Sequence, residues 1–260
     1  MQPDAPFAQS KYQVRFEWGA EGLERLAPAD VIVLVDALSF TTAVVAAAEH
    51  GLAVAPWPKH EPGAEEFAAG LGDGTALSAP AAFLAALATG QELPAHPGAV
   101  LVLASPNGAS LARGLARREA APSDGAEPPV VLAASLRNRT AVARRILALQ
   151  EAHGRRLSVA ILAAGERGGD GVRFAVEDQL AGGAVVDALV ALGIDHTSPE
   201  AAVACAAFEG LRRAVGHLQS ASGSGAELLQ RGVGEGVAAA AQTDVTELVP
   251  ELRGEVFRID

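Results

Sequence analysis

Four short, largely apolar segments of this chain are each followed by a polar turn and a helix-forming stretch. The clearest is Val31–Val35, which is apolar at every position, a pattern typical of a strand covered on both faces. The other three begin at Val100, Val130 and Leu157. Strands that alternate with helices pair in parallel through right-handed crossovers. The sequence therefore predicts a three-layer α/β/α fold with a mainly parallel sheet.

The domain organisation follows from the spacing of these units. We expect one compact domain over residues 1–260, with two intertwined similar halves as the alternative. Residues 1–11 are predicted to be an N-terminal tail. Residues 119–129, rich in Pro, Ser, Gly and acids, are predicted to be an exposed loop. Leu52–Pro56 is predicted to be a short strand at a sheet edge, because prolines are confined to such positions.

Charge and composition exclude several classes of partner. The formal net charge is −11, and no basic stripe offsets it, so we expect binding to neither nucleic acid nor anionic lipid. No apolar run reaches the roughly 20 residues of a membrane helix. The single cysteine, Cys205, is predicted to be a core residue, and it allows no internal disulfide. Met1–Lys11 does not resemble a signal peptide, and a cytoplasmic location is expected.

The polar turns that follow the strands are the predicted binding site. Ligands of open α/β sheets bind outside the carboxyl ends of the strands, and hydroxyl and amide side chains beside free helix N–H groups form anion sites. Each turn alone would pass as an ordinary helix cap or Asn-Gly turn, but four such turns predict a shared site. Its candidate substrate-binding residues are Ser39, Thr41, Thr42, Asn107, Gly108, Ser135, Arg137, Asn138 and Gly165.

Three carboxylates stand in the same turns. Asp36 follows the first strand directly, and it is a candidate helix cap, magnesium ligand or nucleophile toward phosphorus. Glu177 and Asp178 open a helix, where they either complement the helix dipole or serve as metal ligand and water-orienting base. Within that helix, Gly182-Gly183 predicts close approach of another backbone, because helical glycine costs about 1 kcal/mol relative to alanine.

The same segments, in order, resemble elements of the 2-phosphosulfolactate phosphatase family. The turn from Asp36 to Thr42 resembles the family's Asp-x-Leu-Arg-Ala-Thr-Thr element. Further elements are matched by the stretches beginning at Ser105, Ser135, Ala164 and Val176, and by Asp244 and Val249-Pro250.

The resemblance implies a Mg²⁺-dependent phosphomonoester hydrolase that converts phosphosulfolactate and water to sulfolactate and phosphate. In this chain it would act on a small phosphorylated acid, with Asp36, Glu177 and Asp178 as catalytic and metal-binding residues. The assembly considered is a homodimer. Two alternatives stay open: a member that has lost catalysis and binds a small anionic metabolite, and a different hydrolase on a similar scaffold.

Positive charge is where the chain departs from the family. The family arginines are replaced by Ser39 and Ser110, and its Gly-Gly-Glu-Arg element is absent between residues 61 and 80. Phosphoryl transfer depends on positioning and charge stabilisation. The candidates to supply this charge from neighbouring turns are Arg137, Arg139, Arg167 and Arg173.

Overall fold

The computed structural model describes residues 5–72, 75–90, 99–120, 127–168 and 171–259. Strands and helices alternate along most of this length. The strands are β1 (Val14–Trp18), β2 (Val31–Val35), β3 (Ala53–Pro58), β4 (Ala76–Ser78), β5 (Val100–Ser105), β6 (Val130–Ala134), β7 (Val159–Ala163), β8 (Glu166–Gly168), β9 (Gly171–Arg173), β10 (Glu251–Arg253) and β11 (Val256–Arg258). The α-helices are α1 (Gly19–Arg25), α2 (Phe40–Glu49), α3 (Ala64–Gly70), α4 (Pro80–Ala88), α5 (Gly108–Ala120), α6 (Arg139–His153), α7 (Val176–Ala191), α8 (Pro199–Leu211), α9 (Val215–Ala221), α10 (Gly223–Gln230) and α11 (Gly234–Ala240).

Nine of the described strands form one sheet in the order β1-β7-β2-β6-β10-β11-β3-β5-β4. The block β1-β7-β2-β6 and the block β3-β5-β4 are each parallel. The antiparallel pairs β6–β10, β10–β11 and β11–β3 lie between them, so the two blocks run in opposite directions. The chain enters the first block, crosses to the second and returns, so the blocks are interleaved in sequence.

The alternation of side chains along β2 shows how the layers are built. Val31, Val33 and Val35 pack with α6, α7 and α8. Ile32 and Leu34 pack on the opposite face with α2, α4 and α5. A strand buried on both faces must be apolar throughout, as this one is. The predicted α/β fold with a mainly parallel sheet is confirmed. Within the described residues, no helix has the length and apolar character needed to cross a bilayer.

Two local expectations need correction. The prediction that the segment Leu52–Pro56 is an edge strand is wrong, because β3 lies between β11 and β5. Its prolines are tolerated there because β11 pairs with β3 only at Val54. Pro56, which has no N–H, is therefore not required to donate a hydrogen bond to β11. Ala8 and Gln9, placed in the predicted tail, are buried. In the predicted loop 119–129, α5 continues to Ala120, Glu127 and Pro128 are exposed, and residues 121–126 lie outside the described part.

The glycines of α7 confirm the predicted close approach of another backbone. A Cβ at Gly183 would lie 2.0 Å from the carbonyl oxygen of Ala204 in α8. A Cβ at Gly182 would lie 2.6 Å from the Phe16 ring. The first turn of α7 carries Glu177 and Asp178, so this contact also positions two of the predicted site residues.

We expect Gly183→Ala to destabilise the protein by about 3 kcal/mol or more, because an overpacked helix contact must move apart. Urea denaturation measures the change. Gly210→Ala on α8 is the matched control: a Cβ there meets no atom within 4 Å, and the exchange should stabilise the helix by up to about 1 kcal/mol. Equal effects of the two substitutions would contradict the close contact.

Candidate active site

Three of the four predicted turns meet at a pair of aspartates. Asp36 follows β2, and its Oδ2 accepts a hydrogen bond from the N–H of Gly108 at 2.7 Å. Asp178 accepts from the N–H of Ala37 at 2.7 Å through Oδ1, and from the N–H of Gly165 at 2.8 Å through Oδ2. The turns after β2, β5 and β7 are thus tied together by carboxylate-to-backbone bonds, although β5 runs opposite to β2.

The acid cluster, defined as Asp36, Glu177 and Asp178, is almost fully buried. The exposed fractions are 5% for Asp36 and 3% for each of the other two. Burial raises the pKa of Asp36 to about 6, and the charge of Glu177 adds a smaller increase. The hydrogen bonds from Gly108 and Phe40 lower this pKa and so offset part of the effect of burial. Burial, then the charge of Asp36, raises the pKa of Asp178 well above its ordinary value. No lysine, arginine or histidine of the described residues pairs with the cluster.

These shifts predict how stability changes with pH in a buffer that contains EDTA. Between about pH 4 and pH 6 the folded chain holds the Asp36 proton more tightly than the unfolded chain does. The contribution of this group to the free energy of unfolding therefore falls as the pH rises through that range. We expect the wild type to lose stability between pH 4 and pH 7 relative to the Asp36→Asn/Asp178→Asn double variant, as measured by urea denaturation. If the stability of the wild type relative to the double variant stayed constant or increased over this pH range, the fold would favour the ionised carboxylates.

The hydroxyls of Thr41 and Thr42 build the turn that positions Asp36. Thr41 Oγ1 donates to the Asp36 carbonyl at 2.9 Å and accepts from the Asp36 N–H at 3.0 Å. Thr42 Oγ1 donates to the Ala37 carbonyl at 2.9 Å. Both threonines are fully buried, so the structure gives them a positioning role, and their predicted substrate contact stays a prediction. Ser39 is half-buried, and its hydroxyl does not cap α2.

The fourth turn, after β6, makes its own network. Ser135 and Asn138 form a reciprocal capping box. Asn138 also donates to the carbonyl oxygens of Ala133 and Leu248. Arg137 forms an ion pair with Glu49 at the end of α2. Among the described residues, none of these side chains hydrogen-bonds to the acid cluster, so the structure joins three predicted turns and holds the fourth by other contacts.

A cleft of about 590 Å³ lies beside the acid cluster. Its walls come from α5, the β8–β9 hairpin, the start of α1 and the residues that follow β3. Asn107 and Ala164 line it, and each precedes a glycine whose N–H binds one of the aspartates. Asp36 and Asp178 are therefore one residue removed from the cleft wall. The Oδ1 atom of Asn107 is buried, and it has no hydrogen-bond partner among the described residues.

Comparison with known families decides the identity of the chain. A family model of 2-phosphosulpholactate phosphatase matches residues 98–255, which is more than half of the chain. The chain belongs to this family. Membership supports a phosphoric monoester hydrolase. A search of curated proteins finds no match. The matched range contains Asn107, Glu177 and Asp178, whereas Asp36 lies outside it and joins the site only by tertiary contact.

Of the four arginines that the sequence suggested for this 2-phosphosulpholactate phosphatase family member, Arg167 lines the cleft and the other three form ion pairs elsewhere. Arg137 pairs with Glu49, Arg173 pairs with Glu166, and Arg139 pairs with Asp187 and Asp244. Arg167 lines the cleft, and it has no ion pair within the described part of the chain. Three further cleft residues were missed by the sequence analysis: His60, Arg113 and Arg117.

A sequence signal for two of the missed residues existed. Arg113 and Arg117 follow Ser110 by three and seven positions. On a helix this spacing places them on the face that Ser110 occupies. If Ser110 matches a family arginine, as the resemblance implies, α5 carries positive charge one and two turns beyond that position.

Two groups of acidic residues in this family member offer ligand atoms for a metal ion. One group of three potential ligands in the described residues has all its ligand atoms within 4.8 Å of one another: Asp187, Cys205 and Glu209. Asp187 already pairs with Arg139 at 2.6 Å, and burial, then the charge of Glu209, raises the pKa of Cys205 to about 11. A protonated thiol is a poor ligand. In the acid cluster, each oxygen of Asp36 and Asp178 accepts one backbone N–H and keeps a free lone pair.

Proposed function

We propose that this chain is a Mg²⁺-dependent phosphomonoester hydrolase that acts on a small phosphorylated acid, of which phosphosulfolactate is the example named by its family. The observation that carries the proposal is the buried pair Asp36–Asp178. The two carboxylates come from different elements, the turn after β2 and the first turn of α7. They lie close enough for the charge of Asp36 to raise the pKa of Asp178, and no cationic side chain of the described residues forms an ion pair with them.

Asp36 and Asp178 are a donor set of the kind that suits a magnesium ion, although the three acids of the cluster do not all bring ligand atoms within 4.8 Å of one another. Mg²⁺ is bound in proteins by one or two carboxylates, with water and substrate phosphate as its other ligands. Asp36 and Asp178 would hold the ion through their free lone pairs, and Glu177, whose charge also acts on both, would add to the attraction. The bound ion would offset the negative charge of the phosphoryl oxygens.

The chain's own groups would position the substrate beside this ion. Helix α5 begins at Gly108, whose N–H binds Asp36. The N–H groups that follow it in the first turn, together with the helix dipole, favour a phosphate. The Asn107 amide, with an unpartnered oxygen, can accept a hydrogen bond from a substrate hydroxyl. Arg167 supplies positive charge on the cleft wall. These groups would hold the phosphomonoester through hydrogen bonds and charge, without forming a covalent bond to it.

A magnesium titration tests the proposal, with p-nitrophenyl phosphate and 3-phosphoglycerate as probes. We expect phosphate release that requires Mg²⁺ and stops in EDTA. Independently of turnover, Mg²⁺ should raise the melting temperature at pH 8. The bound ion would neutralise the buried negative charge that destabilises the folded protein, and a ligand that binds only the folded state stabilises it. Thermal stabilisation by 3-phosphoglycerate with no turnover of either ester would favour the metabolite-binding alternative. If neither ester is hydrolysed and Mg²⁺ does not raise the melting temperature, the proposal is wrong.

A further inference from the structure

The cleft extends well beyond the acid cluster along one face of α5. Asn107, Ser110, Gly114 and Arg117 all line it, at the spacing of three and four residues that marks a single helix face. The amino terminus of the helix touches Asp36 through Gly108. At a rise of 1.5 Å per residue, the backbones of Arg113 and Arg117 lie about 7.5 Å and about 13.5 Å from Gly108 along the helix axis. One wall of the cleft therefore carries positive charge at a distance from the phosphate end.

Arg113 is the central residue of this wall. Its side chain is only 11% exposed, and its guanidinium lies over the Trp57 and Phe67 rings at 5.1 Å and 4.8 Å from their centroids. Its Nε and Nη1 atoms are buried and have no aligned hydrogen-bond acceptor among the described residues, although Glu255 Oε1 lies 3.0 Å from Nη1. The Nε donor is thus left without an acceptor, and buried guanidinium donors of this kind are rare and costly. Arg113 also lines the cleft, and a partly unsatisfied guanidinium in a cleft wall favours an anionic ligand.

Two more arginines surround the same space. Arg117 forms an ion pair with Glu61 at 3.3 Å, but its side chain is 62% exposed, and such surface pairs contribute little free energy. Arg167 stands on the facing β8–β9 hairpin and has no ion pair within the described part of the chain. Glu21 and Glu61 also line the cleft. A ligand anion would compete with the pairs that Arg117 and Arg113 form with the side chains of Glu61 and Glu255, and it would supply a partner for Arg167.

We propose that this cleft binds the distal anion of an elongated phosphomonoester, one whose carboxylate or second phosphate lies about 7.5 to 13.5 Å from the phosphorus atom. The inference rests on the proposed function for the phosphate end of the ligand. A phosphorylated six-carbon sugar acid has the required chemistry. The volume of about 590 Å³ lies within the range of roughly 300 to 1,000 Å³ found for sites that enclose small molecules.

Matched substrate pairs test the reach of the cleft. 6-Phosphogluconate and sorbitol 6-phosphate differ only in a terminal carboxylate on a six-carbon chain, and 3-phosphoglycerate and glycerol 3-phosphate differ likewise on three carbons. We expect the carboxylate to raise kcat/KM about 10-fold or more in the long pair, since charge-assisted hydrogen bonds are strong, and less in the short pair. A comparison of kcat/KM for fructose 1,6-bisphosphate and fructose 6-phosphate shows whether a second phosphate has the same effect as the distal carboxylate.

Variants on α5 and the hairpin identify the residues responsible. Arg117→Gln should remove most of the long-pair preference and leave kcat for sorbitol 6-phosphate within about twofold. Arg167→Gln should also remove most of the preference, and it should lower kcat for both esters, because Arg167 contributes positive charge at the phosphate end as well. Arg113→Lys should act in the same direction, because a lysine keeps the charge but loses the rigid fork of donors. Arg118→Gln is the control, since Arg118 lies on the same helix and pairs with Glu24 outside the cleft.

Equal preference in both acid pairs, or a long-pair preference that survives all three variants, would overturn the inference. Calorimetric binding of 6-phosphogluconate and sorbitol 6-phosphate separates it from the proposed function. If no ester is hydrolysed, the phosphatase proposal fails. The cleft proposal still stands if 6-phosphogluconate binds about 10-fold more tightly and Arg167→Gln abolishes the difference.

Discussion

Replacing Asp36 by asparagine should reduce kcat for phosphate esters by about 10³-fold or more and yet stabilise the ion-free protein at pH 8. Asparagine removes a charge that the fold buries at a cost, as the raised pKa of Asp36 shows. Its amide oxygen can still accept the hydrogen bond from Gly108. Activity should nevertheless be lost, because an amide provides neither the charge nor the basicity needed to hold Mg²⁺. Phosphate release and urea denaturation in EDTA measure the two effects.

Asp30 provides a control of opposite electrostatic sign. Its hydrogen bonds from Arg155 and Ser158 outweigh the effect of burial and lower the pKa of Asp30 to about 2. Its contribution to stability is therefore complete above about pH 4 and is lost as the pH falls through 2. Asp30→Asn should lower stability at pH 8 by about 1 kcal/mol, because hydrogen bonds to a charged group are weakened, and should leave activity unchanged. If Asp36→Asn also destabilised the ion-free protein, the buried-charge interpretation of the site would be wrong.

Gly108→Ala should abolish most activity and lower the free energy of unfolding by about 2 kcal/mol. A Cβ at this position would lie 2.5 Å from Asp36 Oδ2 and 2.7 Å from the Phe40 ring. To relieve these contacts, the amino terminus of α5 must move away from the aspartate whose oxygen it binds at 2.7 Å. We expect kcat to fall about 100-fold, since displacement of catalytic groups by about 1 Å has effects of that size.

Gly114→Ala separates a local clash from a general effect of alanine in α5. A Cβ at Gly114 meets no atom within 4 Å, so the substitution should stabilise the helix by up to about 1 kcal/mol. Circular dichroism during thermal unfolding compares the two variants, and phosphate release compares their activities. Wild-type activity in Gly108→Ala would mean that the contact between the β5 and β2 turns is not needed for catalysis.

The site was partly predictable because its residues follow strands that the sequence marks clearly. Asp36 comes directly after five apolar residues, and such a carboxylate must lie at the mouth of a buried strand. Gly183 was predicted to mark a backbone contact because glycine is costly inside a helix, and α8 makes that contact. Ser135, Arg137 and Asn138 follow a strand equally well, yet their hydrogen bonds hold the turn itself and Glu49. Residue type and position alone did not distinguish a turn that joins the acid cluster from a turn that does not.

Local pattern alone determined that this chain forms apolar strands alternating with helices and which carboxylates stand at the strand ends, because strand burial and helix capping depend on neighbouring residues. The tertiary structure decided that β5 runs opposite to β2 and still brings Gly108 to Asp36, that the Thr41 and Thr42 hydroxyls bind backbone, and that Arg113 lines the cleft. These outcomes depend on segments far apart in the chain. A side chain binds whichever donor or acceptor the fold brings within about 3 Å, and no local pattern specifies that partner.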